Sequence, residues 1–411
     1  MNIWVFNHYA LTPDLPGGTR HFDFARELTN RGHKVTIFAS SFHYSLLKET
    51  KKYDKNKFIL EIYDNVNFIW IKTFPYKKND WKRVLNMLSY SYRSYKVAKN
   101  YKKIDIDKPD VIIGSSVHLF AVYIAYKLSK FFKVPFVMEV RDLWPQTLID
   151  MGISKWHPFI ILLGILEKFL YKQAKRIITL LPKAKDYITS LGVSEDKIVW
   201  IPNGVYINRF SNNRLKNKNT KKFIVTYAGA IGKANNLDVL IKAAKILKDV
   251  SDIEFIIVGD GPERKKLEKK VFELGLNNVQ FKGSVSKNEV LFYLCNSDIL
   301  YFNLKKSPVF KYGISSNKLF DYLASGKPVI FAASAGNNPV ADARAGITIP
   351  PENPEALAEA ILKLYRMPKE ERQEMGERGR KYVEKYYSIP KLVDKLEKVL
   401  YEVINDSQHT S

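Results

Sequence analysis

Short runs of β-branched and aromatic residues alternate with stretches of helical length almost from end to end of the chain. In the first half the apolar runs fall at 3–6, 35–39, 68–71, 111–114, 136–140, 177–180 and 198–201, with amphipathic stretches at 20–31, 82–102 and 119–132 between them. This alternation predicts strands crossing over through helices, the pattern of a parallel α/β sheet. A polar segment rich in Asn and Lys, 203–222, interrupts it and reads as a linker. The alternation then restarts with strands expected at 223–228, 254–258, 279–281, 299–302, 329–331 and 347–349, and a helical tail at 355–403 in which Pro390 marks a kink or a new helix. Two doubly wound sheets in tandem are expected: a domain over 1–203, a second over 204–388, and a last helix, 389–411, packing back on the first. Ligand crevices of such sheets lie outside the carboxyl ends of the strands, so two facing sheets place two crevices opposite each other.

Composition narrows the class. A chain of 411 residues, 46% hydrophobic and 26% charged, is an ordinary globular protein of about two to three domains. Cys295 is its only cysteine; it lies in an apolar run, reads as a buried core thiol, and fits a reducing compartment. The start of the chain lacks the features of a secretory signal. The longest apolar run, 158–166, is far short of the ~20 residues that span a bilayer. The expectation is a cytoplasmic protein that does not cross a membrane. The net charge of +24 implies an anionic partner: nucleic acid, anionic lipid or a phosphorylated substrate. A lysine-rich surface set by genomic composition is the other reading. No helix-turn-helix, zinc-finger or RNA-recognition signature accompanies the charge, which argues against nucleic acid.

Several strand-to-helix junctions carry candidate chemistry. Gly17 and Gly18, in Pro16-Gly17-Gly18-Thr19, follow the first strand, where glycine lets a backbone approach a ligand and the next helix start attracts anions; a plain tight turn would look the same. Gly229, Gly232 and Lys233 hold the equivalent place in the second domain and suit a diphosphate, or form a glycine turn beside a solvated lysine. Gly261, before Pro262, marks another such junction, equally readable as structural. Ser315, Ser316, Asn317 and Lys318 predict a helix start whose N–H groups meet phosphate, with Asp321 one turn in to accept ribose hydroxyls; an ordinary capped helix is the alternative. His118 follows a strand and is expected to face a crevice, alongside Arg141 and Asp142 at the end of the next strand. Asp105-Ile106-Asp107 has a D-x-D spacing but sits in a charged turn, so no metal site is expected.

With these segments in this order the chain resembles the retaining family 4 glycosyltransferases of GT-B fold, in which two Rossmann-like domains hold the active site in the cleft between them. The likeness is nearest to a bacterial subgroup that includes N-acetyl-L-fucosamine transferases of O-antigen and capsule synthesis. It rests on the 16–18 loop, Glu139-Val140-Arg141-Asp142-Leu143-Trp144-Pro145, residues 229–233 and residues 316–328. The resemblance implies that the second domain binds a nucleotide sugar, expected to be UDP-linked. Asp321 would hold the ribose as second acid of an E-x7-E motif, His118 would contact the donor sugar, and Gly17 and Gly18 would approach the diphosphate and the acceptor. Metal-independent catalysis follows in that picture, with Lys233, amides near Gly17 and the helix start stabilising the leaving group. Two positions depart from the family pattern: the first acid falls at Gly313, and the family's lysine after the glycine loop aligns with Asn235, leaving Lys233 displaced. A non-catalytic nucleotide-sugar-binding partner and a GT-B epimerase are the alternative functions.

A basic, tyrosine-rich stretch at 72–103 and an apolar segment at 156–171 suit a surface lying on anionic lipid. They fit peripheral attachment to the inner face of the plasma membrane and a polyprenyl-diphosphate-linked saccharide acceptor. A buried core helix is the other reading of 156–171.

Overall fold

The computed structural model describes residues 1–78, 80–116, 118–210 and 222–408. Most of the segment expected to be a linker, 211–221, lies outside the described residues, as does the end of the tail, 409–411. Backbone contacts divide the chain into two compact units, Met1–Asn203 with Ile389–Ser411 and Gly204–Ser388.

In the N-terminal unit the strands are β1 Asn2–Phe6, β2 Lys34–Ser40, β3 Phe42–His43, β4 Lys48–Glu49, β5 Phe58–Tyr63, β6 Val66–Ile71, β7 Val111–Ser116, β8 Phe136–Val140, β9 Arg176–Thr179 and β10 Ile198–Trp200. The helices between them are α1 Arg20–Asn30, α2 Trp81–Lys99, α3 Leu119–Phe132, α4 Gln146–Asp150, α5 Pro158–Gln173 and α6 Ala184–Ser190. The described strands form an eight-stranded sheet of order β10-β9-β8-β7-β1-β2-β6-β5, with β3 and β4 as a separate short ribbon. Neighbours run parallel except β5, which pairs antiparallel with β6. From β1 the chain goes first to β2 on one side and later to β7 on the other. That reversal opens a crevice at the carboxyl ends of β1 and β7. Aromatic packing fills the layer beside β1: Trp4 sits 5.3 Å from Phe38 and 5.2 Å from Phe132, and Phe6 stacks on Phe38 at 4.3 Å.

The pattern missed β5 and overran one helix. The helix expected at 82–102 ends at Lys99, and the chain tightens into a 3-10 turn over Tyr101–Ile104.

The C-terminal unit repeats the plan with β11 Phe223–Ala228, β12 Ile253–Val258, β13 Val279–Gly283, β14 Ile299–Asn303, β15 Val329–Ala332 and β16 Gly346–Thr348. Its helices are α7 Asp238–Ile246, α8 Arg264–Glu273, α9 Lys287–Asn296, α10 Asn317–Ala324, α11 Pro339–Asp342, α12 Pro354–Arg366 and α13 Lys369–Tyr386. The six described strands are all parallel, in the order β13-β12-β11-β14-β15-β16. Here the order reverses between β11 and β14. Cys295 is a buried thiol on α9.

Pro390 is the second residue of a new helix, α14 Ile389–Gln408, where a missing N–H costs nothing. The apolar face of α14 buries Leu392, Val393, Leu396, Val399, Leu400 and Val403. Its polar edge is tied to the end of α1 and the turn after it. Arg31 reaches Asp394 at 2.7 Å and Glu397 at 2.9 Å, and His33 Nε2 lies 2.6 Å from Glu397 Oε1.

Candidate active site

In the N-terminal unit a buried polar cluster ties the crevice strands together. Glu139, on β8, is 6% exposed. Its Oε2 accepts from Arg20 Nε at 3.0 Å, and its Oε1 meets His21 Nε2 at 2.8 Å and accepts from Ser115 Oγ at 2.7 Å. Asn7 Nδ2 donates to Ser115 Oγ at 2.8 Å. The Arg20 guanidinium also donates to the carbonyls of Ile201, at 2.9 Å, and Pro202. Burial pushes the Glu139 carboxyl up, but Arg20 and His21 outweigh it and hold the group well below the usual carboxylate range. The same burial lowers the His21 pKa against the pull of Glu139. Sequence reasoning quoted Glu139 only as part of a motif and missed Arg20 and His21. The signal was their place at the start of the helix after the glycine loop.

His118 follows β7, but its ring is closed to solvent. It is wholly buried, and both ring nitrogens are engaged: Nδ1 accepts from Ala121 N–H at 3.3 Å as the cap of α3, and Nε2 lies 2.7 Å from His8 Nδ1. The first bond makes Nδ1 the acceptor, so Nε2 carries the proton and donates to His8. Burial pulls the His118 pKa down to about 3 and lowers that of His8 as well, so both rings are uncharged at neutral pH. As the cap of α3 the ring is turned to the Ala121 amide and to His8. Arg141 and Asp142, by contrast, follow the end of β8, half-buried and exposed respectively, with Arg141 N–H donating to Ser116 Oγ at 3.1 Å. Surrounding protein raises the Asp142 pKa, with Arg141 opposing the shift.

Gly17 and Gly18 are exposed after β1. Gly17 has φ +136°, and an added Cβ would fall 2.6 Å from Leu11 Cδ1 and 3.2 Å from Tyr44 Oη. Glycine is therefore demanded by conformation.

In the C-terminal unit three predicted segments converge at the carboxyl end of β11. Tyr322, on α10, accepts a hydrogen bond from Ala228 N–H at 2.6 Å and donates one to Ala228 O at 2.9 Å. This clip fixes the start of α10 beside the Gly229 loop. Ser316 is the N-cap of α10, but its hydroxyl makes no capping bond; Ser315, Asn317 and Asp321 are partly exposed around it. Lys318 turns back under the loop. Its Nζ lies 3.2 Å from Tyr227 Oη and 3.0 Å from Asn235 Oδ1, and 4.5 Å and 4.9 Å from the ring centroids of Tyr227 and Phe302. An added Cβ on Gly229 would fall 2.9 Å from Lys318 Cδ. No carboxylate pairs with Lys318 among the described residues, and burial lowers its pKa to about 7. Lys233, in the turn after Gly232, is exposed. The cation that reaches Asn235 is thus Lys318, which the sequence had placed only at a helix start.

Gly261 supports the loop rather than facing outward. Ile231 N–H donates to Asp260 O, Glu263 N–H donates to Ile231 O, and an added Cβ on Gly261 would lie 2.4 Å from Ile231 O. Gly259 is tighter still, 2.0 Å from Gly229 O. These glycines let two loops pack backbone against backbone. Gly313 has φ +104°, a conformation an acid at that position would adopt only with strain. Asp107 pairs with Lys34 at 2.6 Å on the surface. Among the described residues no three His, Cys, Asp or Glu side chains gather as a metal would require.

Two parallel sheets with a glycine loop at each switch point define a protein of GT-B fold. The structure superposes on sucrose-phosphate synthase from Thermosynechococcus elongatus with TM-score 0.76 at 16% identity, covering 98% of this chain and 99% of that one. It also matches HepE from Anabaena, solved in complex with UDP, with TM-score 0.69 at 15% identity over 98% and 100% of the chains. In sequence, residues 17–209 match the profile "Glycosyltransferase Family 4", and residues 208–382 match "Glycosyl transferases group 1". A protein of Escherichia coli K12 assigned to colanic acid biosynthesis as glycosyl transferase WcaI is 25% identical over 99% of both chains. The chain is a glycosyltransferase of GT-B fold, a family 4 domain followed by a group 1 domain.

Proposed function

We propose that the chain is a retaining transferase that moves an N-acetylated hexosamine or deoxyhexosamine from a UDP-sugar to a polyprenyl-diphosphate-linked saccharide during bacterial surface-polysaccharide synthesis. The observation that carries the donor side is the meeting of the Gly229 loop, the start of α10 and the Lys318 ammonium at one end of the second sheet. A helix start and a lysine whose charge an arriving anion would stabilise suit a diphosphate leaving group without a metal. Asp321, one turn into α10, would accept the ribose hydroxyls. Retention follows if the acceptor hydroxyl attacks from the leaving group's face. Because His118 is sealed, Arg141 and Asp142 are the groups of that trio open to orient the sugar. HepE has been solved with UDP and with UDP-glucose, and the assignment of WcaI supports a polysaccharide product.

The acceptor side of the reading rests on α5. One face of this helix buries Ile160, Leu163, Leu170 and Tyr171, while Ile161, Leu162, Ile165 and Phe169 form an exposed apolar stripe. Trp156, 74% exposed, continues it, and Lys155, Lys168 and Lys172 are exposed beside it. No described helix is long and apolar enough to cross a membrane. A stripe of this kind suits peripheral contact with anionic lipid.

The direct test pairs UDP binding with UDP-sugar hydrolysis in excess EDTA. Asp321→Ala should weaken UDP by about 1.5–3 kcal/mol, the range for a hydrogen bond to a charged group. A folded Asp321→Ala protein with wild-type UDP affinity would remove Asp321 from the site. Chelation that abolishes turnover would reject the metal-free mechanism, and UDP binding without any turnover would favour a non-catalytic partner.

A further inference from the structure

The loop that carries Gly17 and Gly18 is tied to the sheet through a histidine of the β3–β4 ribbon. Among the described residues, 13–18 make one hydrogen bond to any residue outside 12–18: the Pro16 carbonyl meets His43 Nε2 at 2.9 Å. His43, on β3, is buried. Its Nδ1 accepts from the Leu46 amide at 3.2 Å, the Ser45 amide at 3.3 Å and the Ser45 hydroxyl at 3.2 Å. A ring nitrogen that accepts from backbone amides carries no proton, so Nε2 carries it and donates to Pro16. Burial lowers the His43 pKa; the Pro16 carbonyl opposes that shift and Lys48 adds to it. The neutral ring that this pattern requires is thereby favoured.

The base of this tether is itself fixed. Phe42 pairs with Glu49 and His43 with Lys48 across the ribbon. The Ser41 amide donates to Ile71 O at the end of β6, and the Thr50 amide and hydroxyl donate to Ser41 O at 3.0 and 2.7 Å. At the other end the tether sets a direction. A trans peptide is planar, so the Gly17 N–H points opposite to the Pro16 carbonyl. With that carbonyl held on His43, the Gly17 amide is aimed away from the ribbon. Gly17 and Gly18 are exposed, and neither amide donates to another described residue. Backbone donors fixed before reaction stabilise developing negative charge best, because nothing has to reorganise as the charge appears.

We propose that His43 is a positioning residue of the glycine loop: through the Pro16 carbonyl it aims the Gly17 amide at a phosphate oxygen of the nucleotide sugar. The phosphate rests on the transferase reading; the tether does not. Two substitutions separate the tether from the ribbon turn. His43→Asn puts a carbonyl near the place of Nδ1, so it can accept from Ser45 and Leu46 but cannot reach Pro16. His43→Gln puts an NH2 near the place of Nε2 and keeps the donor to Pro16. With UDP-N-acetylglucosamine and no acceptor, His43→Asn should lower the kcat of hydrolysis about ten- to a hundredfold and leave KM within about twofold. His43→Gln should recover most of that loss, and UDP affinity should match wild type in both. A role confined to the ribbon would give the reverse order, with asparagine rescuing and glutamine failing. In protein labelled with 15N-glycine, the Gly17 order parameter should fall from about 0.85 to below about 0.6 in His43→Asn alone. Wild-type kcat in His43→Asn, or an equal loss in His43→Gln, overturns the positioning role. An unchanged Gly17 order parameter in His43→Asn overturns the tether itself. A wild-type chain that turns over no UDP-sugar rejects the transferase reading and the phosphate with it, whatever the order parameter shows of the tether.

Discussion

Glu139→Gln isolates the electrostatic design of the N-terminal unit, because the substitution keeps shape and removes charge. In the native unit the Glu139 carboxylate faces Arg20, 3.0 Å away, with side-chain exposures of only 8% and 3%. A glutamine there would leave the Arg20 guanidinium buried without its counter-ion and would turn an NH2 group toward one of its former donors. Removing one partner of a buried pair costs about 3–5 kcal/mol. Arg20 keeps the Ile201 and Pro202 carbonyls, which places the expectation at the low end, about 3 kcal/mol. That is a large share of the ~5–15 kcal/mol that holds a domain folded. The assay is simple because all six tryptophans lie in 1–203, so their fluorescence in urea follows this unit alone. Adding Arg20→Met should restore part of the loss, since the stranded charge is then gone. Acid dependence gives a second reading. The Glu139 pKa is depressed, so its stabilisation is complete above the unfolded carboxyl pKa near ~4.3 and lost as pH falls below it. Glu139→Gln should flatten that acid loss. A stability change under about 1 kcal/mol, or a double variant no better than the single one, would refute the account.

Three further outcomes are expected. His8 and His118 are buried neutral, with pKa values pushed below the unfolded ~6.5, so they favour folding fully above that pH and progressively less below it. For His118, depressed to about 3, the loss near pH 5 should be about 2 kcal/mol, read as the pH slope of the same urea midpoint; an unchanged slope in His118→Asn would contradict the assignment. Gly259→Ala would drive a Cβ to 2.0 Å from Gly229 O at φ +132°, so hydrogen exchange across 223–258 should accelerate, reflecting at least about 2 kcal/mol of strain and overpacking. Flotation with liposomes should show binding to anionic but not neutral vesicles, reduced by Lys96→Glu, Lys99→Glu and Lys102→Glu together and partly by 1 M salt; equal recovery with both vesicle types would reject the membrane contact.

What could be read from the sequence follows the range of the interactions concerned. The central strands were legible because a strand buried on both faces is a continuous apolar run, as in 35–39 and 111–114. β5 escaped because an edge strand paired on one side is half exposed, and Phe58–Tyr63 carries Glu61 in its middle. Its signal was the turn: Asp64 and Asn65 take φ +46° and +64°, the pair of residues a two-residue hairpin favours. Glycine positions were legible, but not their duties, since Gly259 and Gly261 are fixed by the backbone of 229–231, some 30 residues earlier. The burial of His118 was hidden for a related reason. Its place after a strand was legible, but its ring is held by the Ala121 amide and by His8, 110 residues away. Lys318 shows the same limit from the opposite side. Local reading made it one residue of a helix start, yet its ammonium meets Asn235 across 83 residues. The loop around Asn235 is thus reached by a lysine from a distant helix, and the hydrogen bonds of Tyr322 with Ala228 hold that helix beside it.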